Sequence, residues 1–115
     1  MQESYPSANP QSYFEGVCSD AIAHYGLDQQ LNILQEECGE LVAAVSHFRR
    51  SRDGSRAGLV TELADVIIMT HQICMAIGDE DVDLEVGKKL GRLVERMGTD
   101  RLEELDAIQR VLNAR

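Results

Sequence analysis

The chain has 115 residues, which suits one ordinary domain and is too short for two. A 43% hydrophobic content can support a core, a charged fraction of 27% argues against wholesale disorder, and 4% aromatics with no Trp make that core aliphatic. Eleven Lys and Arg against 20 Asp and Glu leave a net charge of −9, so duplex DNA or RNA binding through a broad basic face is disfavoured.

The first 12 residues, rich in Pro, Ser, Asn and Gln, are expected to form a flexible N-terminal arm, and residues 13–115 a single helical domain. The start of the chain has neither the basic region nor the apolar core of a secretory signal. A first helix is expected from Ser12 to Tyr25, stopping at Gly26. A second runs from about Gln29 to Arg50, where Leu34, Cys38, Leu41, Val45 and Phe48 recur at three- and four-residue steps. The segment SRDGSRAG breaks it, with Gly54 and Gly58 as punctuation. A third helix is predicted from near Leu59, with Thr61 as its cap, to Ile77, closed by Gly78 and the acidic stretch Asp79–Asp83. A fourth covers Leu84 to Met97, with Val86, Leu90, Leu93, Val94 and Met97 as its stripe. Thr99 or Asp100 then caps a short last helix with Leu102, Leu105, Ile108 and Leu112 on one side. Short connections between such helices predict an all-α antiparallel bundle of four to five helices. No apolar run reaches about 18 residues, so no membrane span is expected. Cys18, Cys38 and Cys74 are odd in number and lack a CxxC pair, which suggests buried free thiols in a reducing, cytoplasmic setting.

The informative residues are acids in apolar places. At about 100° per residue from a stripe centred on Leu34, Glu37 lies about 60° away, Glu40 about 120° and Glu36 about 160°. Glu37 therefore points inward, Glu40 flanks the stripe and Glu36 faces outward. The third helix is apolar nearly all round, as for a helix buried on most sides, yet carries Glu62 and Asp65 one turn apart on the face of Met69 and Ile73. An unpaired buried charge costs roughly several kcal/mol, so such a face needs a partner. Two helices each offering acid-x-x-acid can bring four carboxylates together, and four anions need cations. For an all-oxygen set the natural counter-charge is Mg²⁺, with Mn²⁺ as a substitute. A single ExxE on a helix is ordinarily solvated surface; two such pairs set into apolar faces favour a metal site.

Other motifs fail on their own chemistry. Asp79-x-Asp81-x-Asp83 opens like an EF-hand loop but has Leu84 in place of the required Gly and Leu90 in place of the closing Glu. Gly87-Lys88 lacks the remainder of a P-loop. His24, His47 and His71 form neither HExxH nor ExxH, and His71 reads as a core or interface histidine.

Glu37-Cys-Gly-Glu40, a gap of 21 residues, and Glu62-Leu-Ala-Asp65 together resemble the ExxE…ExxD signature of the MazG-like all-α nucleoside triphosphate pyrophosphohydrolases. The flanking segments QEECGEL and ELADVIIM, and the basic helix Lys89-Leu-Gly-Arg-Leu-Val-Glu-Arg96, are similar to the same family, over roughly residues 25–97. The resemblance implies a helical core completed by a second subunit, as a homodimer or homotetramer. It implies Mg²⁺-dependent hydrolysis of (deoxy)nucleoside triphosphates to the monophosphate and pyrophosphate, in nucleotide-pool clearance. Glu37, Glu40, Glu62 and Asp65 are then the metal ligands. Lys89, Arg92 and Arg96 form a strip suited to the phosphate tail, and Gln30 is a candidate for a base or sugar contact, with a cap or surface role as its alternative. Glu37 and Glu36 are the candidates for taking a proton from the attacking water. Leu93 stands where some members carry Asn, so a contact made by that Asn is missing here or supplied elsewhere. Two rival functions are a hydrolase of the same fold acting on another phosphoanhydride, and a non-enzymatic helical module whose acids bind structural metal or a basic partner.

Overall fold

The computed structural model describes residues 9–51, 55–98 and 102–114. They form five helices, α1 (Pro10–Tyr25), α2 (Leu27–Arg50), α3 (Ser55–Ile77), α4 (Asp79–Met97) and α5 (Leu102–Asn113), with no strand among the described residues. The all-α expectation stands.

Local chemistry accounts for where the helices begin and end. The Asn9 side chain accepts a hydrogen bond from the Gln11 backbone N–H at 3.0 Å, and Pro10 occupies the first turn, where no N–H is needed. The helix therefore starts two residues before the predicted Ser12. Gly26 takes φ 88°, which ends α1 and starts α2 within a single residue; a side chain would be strained there. Gly78, at φ 126°, makes the same one-residue joint between α3 and α4.

Several boundaries correct the sequence reading. Gly58 does not interrupt the chain but lies inside α3, which starts at Ser55 rather than Leu59. Thr61 is no cap: it is in the second turn, and its hydroxyl donates back to the Ala57 carbonyl at 3.0 Å. The acidic stretch Asp79–Asp83 does not separate helices but opens α4, where Asp79, Glu80 and Asp81 complement the N-terminal end of the helix dipole. Gly54, Thr99 and Asp100 lie outside the described residues, as do residues 1–8 of the expected arm.

The chain divides into two compact units, Met1–Ile77 and Gly78–Arg115. In the first, α2 and α3 pair most extensively and α1 packs on both. Its buried apolar residues are Cys18, Met69 and Ile73, and the Cys18 thiol donates to the Ile68 carbonyl at 4.0 Å. Phe14 and His71 meet at a ring separation of 4.7 Å, so His71 packs between helices as a half-buried side chain. Cys38 is exposed and Cys74 half-buried, against the expectation of three buried thiols.

α3 departs furthest from expectation. Instead of being covered on most sides, it leaves Val60, Leu63, Ile67 and Ile68 exposed, Ile67 by 61%. It is also long and apolar enough, by length and composition alone, to cross a membrane; Glu62 and Asp65 interrupt the apolar run that a residue-by-residue count would find. In the second unit Val94 is the buried apolar residue of the predicted α4 stripe, with Leu90 half-buried and Val86, Leu93 and Met97 exposed.

Candidate metal centre

α2 and α3 each present acidic residues three apart, a spacing that places both on one side of a helix. Because the two helices pair along their length, these sides meet. Glu37, Glu40 and Glu62 each bring one carboxylate oxygen to within 4.8 Å of the others. Asp65 sits close enough for its charge to act on both Glu37 and Glu62. Glu37, Glu62 and Asp65 are half-buried, Glu40 and Glu36 exposed, and Glu36 lies outside the cluster.

The electrostatics show what the arrangement lacks. Partial burial, then the charge of Asp65, then a hydrogen bond and charge from Glu40 push the Glu37 carboxyl up to about 7. Glu62 is raised as well, first by burial and next by the charges of Glu40 and Asp65. Glu37 Oε1 and Glu62 Oε1 are buried without a hydrogen-bond partner. Among the described residues no Lys or Arg forms an ion pair with these four acids; the exposed pair Lys88–Glu85, at 3.7 Å, is elsewhere. Clustered, underpaired carboxylate oxygens fit a hard divalent cation, which would supply the missing charge and accept the orphaned lone pairs.

A cleft of about 400 Å³ adjoins the cluster, sharing Glu40 and Glu62 with it and continuing past Ala44 and Gly58 to His47 and Ser55. The sequence offered little sign of this cleft, since Ser55 and Gly58 read as loop.

Gln30 is neither a cap nor a surface residue. It lies within α2, is 5% exposed, and its Nε2 donates to Gln72 Oε1 at 2.8 Å. Gln72 Nε2 in turn approaches Met69 Sδ at 3.8 Å. Gln72 was missed by the sequence reading, although it lies on the same α3 face as Met69 and Ile73 and so was marked as a core polar group by spacing alone. Lys89, Arg92 and Arg96 are exposed and step along one face of α4. They belong to the second unit. Arg49 and Arg50 end α2, and Arg56 lies in the first turn of α3, all exposed. Arg52 lies outside the described residues.

No curated protein and no solved structure matches the chain. The family model of the MazG nucleotide pyrophosphohydrolase domain matches residues 26–101, a range that contains all four clustered acids, the cleft and the basic strip. Members of that family act on nucleotides and are typically metal-dependent. With most of its length inside the match, the chain belongs to the MazG nucleotide pyrophosphohydrolase family.

Proposed function

We propose that the protein hydrolyses (deoxy)nucleoside triphosphates to nucleoside monophosphates and pyrophosphate with Mg²⁺, which Mn²⁺ can replace. The observation that carries this reading is the convergence of Glu37, Glu40 and Glu62 from two helices, with two buried oxygens left unpaired, inside a family match whose members act on nucleotides. Glu37, Glu40, Glu62 and Asp65 would hold the ion. When bound, it supplies Lewis acidity to the phosphoryl oxygens and lowers the pKa of an attacking water.

The chain's own groups do the rest. The cluster carries too much negative charge to admit a polyphosphate by itself, so the acids bind substrate only as its cation complex. Water attacks phosphorus, its oxygen forms the new P–O bond, and pyrophosphate leaves with the electron pair of the bond that breaks. The proton released by the water goes to a carboxylate. Glu37's place in the cluster supports it over the exposed Glu36 for this role. Lys89, Arg92 and Arg96 offer three cations on one helix face to the phosphate tail.

We also propose that the working form is a homodimer or homotetramer. The exposed Val60, Leu63, Ile67 and Ile68 of α3, with Val42, Val45 and Phe48 of α2, are more apolar surface than a single copy covers. The direct test is a panel of nucleoside and deoxynucleoside triphosphates assayed for Mg²⁺-dependent pyrophosphate release, with Glu62→Gln as the control. Release of orthophosphate instead, or no turnover of any nucleotide, would overturn the reading.

A further inference from the structure

The cleft beside the carboxylate cluster differs from it in chemistry. Glu40 and Glu62 form part of its wall, and the rest of the described lining is Ala43, Ala44, Gly58, the His47 ring and the Ser55 hydroxyl. Ser55 is only 7% exposed, and its Oγ is buried with no hydrogen-bond partner. A hydroxyl can donate and accept, and one left buried and unpaired calls for a partner from outside the chain. Gly58 leaves open space where a side chain would stand, with nothing within 4 Å of the position its Cβ would take. The volume of about 400 Å³ lies in the range of small-molecule sites.

The lining also selects the chemistry of the occupant. Among the described residues no Lys or Arg lines the cleft and two carboxylates do, so that lining repels a phosphate without its cation. A neutral group with hydrogen-bonding edges is not. We infer that the cleft receives the nucleoside portion of the substrate and that Ser55 Oγ hydrogen-bonds a polar edge of it, which makes Ser55 a specificity-determining residue. The inference rests on the proposed nucleotide hydrolysis: phosphates tethered at Glu40 and Glu62 leave the uncharged end of the nucleotide beside a cleft that shares those two residues.

Two variants test it. Ser55→Ala removes the hydroxyl without adding bulk. Gly58→Leu fills the cleft from a helical position that is open in the structure, and replaces a poor helix former by a good one. Steady-state kinetics over the triphosphate panel and thermal melting are the readouts. Ser55→Ala is expected to raise KM for the preferred nucleotide about tenfold with kcat within about twofold, and to narrow the spread of kcat/KM across the bases or sugars. Its Tm should hold or rise, because no native hydrogen bond is lost. Gly58→Leu should raise Tm while raising KM at least as far. Wild-type KM and preference in both variants would overturn the inference alone. So would a Ser55→Ala protein with lowered Tm and unchanged KM, which is the signature of a purely structural serine. A wild-type protein that turns over no nucleotide would remove the proposed function and this inference together.

Discussion

At the scale of single residues, the clustered acids act against the fold until a cation joins them. Glu62→Gln should reduce Mg²⁺-dependent turnover by at least about 100-fold, because it removes one ligand of the charge that stabilises the transition state. The same change should leave the metal-free Tm unchanged or higher, since it relieves repulsion from Glu40 and Asp65; a marked fall in Tm would mark Glu62 as structural instead. The raised Glu37 carboxyl sets a pH dependence. Between its ordinary value of 4.5 and about 7, the folded chain keeps a proton that the unfolded chain gives up. Fewer protons bound in the unfolded state mean that stability falls as pH rises through this window and levels off above it. Glu37→Gln should flatten that slope in metal-free melting curves. Saturating Mg²⁺ should flatten it too, and should add about 2.7 kcal/mol at a hundredfold excess over Kd. That the acids come together was legible from their spacing and from the apolar text around them. Ser55 was not, because whether a serine is solvated or buried depends on what lies across from it.

At the scale of helices, the α2–α3 pair is pinned by one buried amide contact. Gln72→Ala leaves the Gln30 amide buried and unpaired and should cost about 1–3 kcal/mol in urea unfolding. Replacing both residues by Leu removes the two polar groups at once and should fall well short of the sum of the single losses. Additive costs would show that the two side chains do not depend on each other. The helix types were readable from three- and four-residue periodicity, but three boundaries were not. Gly58 is tolerated inside α3, at a cost of about 1 kcal/mol relative to Ala, because the helix continues on either side of it. The run Asp79–Asp83 looked like a loop by polarity alone, whereas its charges favour a helix N-terminus. Asn9 and Pro10 carried a start signal that lay inside the expected arm.

At the scale of the whole molecule, the exposed apolar side of α3 sets the expectation for assembly. Ile67 is 61% exposed in the single chain. If the protein works as a monomer, Ile67→Glu should change stability by no more than about 0.5 kcal/mol. If it assembles as proposed, sedimentation of Ile67→Glu should show a shift to a smaller species, with a lower and concentration-dependent Tm. Wild-type sedimentation as a monomer at working concentrations would end the assembly proposal.

Periodicity by itself determined an all-α chain of four to five helices, because it is set by residues close together along the chain, and the two acid-x-x-acid pairs with their flanking segments carried the resemblance to the family whose model matches residues 26–101. Which polar groups are buried was decided only by the packing of α2 on α3. That packing turned Gln30 inward onto Gln72, drew Glu37, Glu40 and Glu62 to one point, and left a cleft with an unpaired Ser55 beside them. These are distances between residues tens of positions apart, and local preference does not fix such distances until the helices are laid against each other.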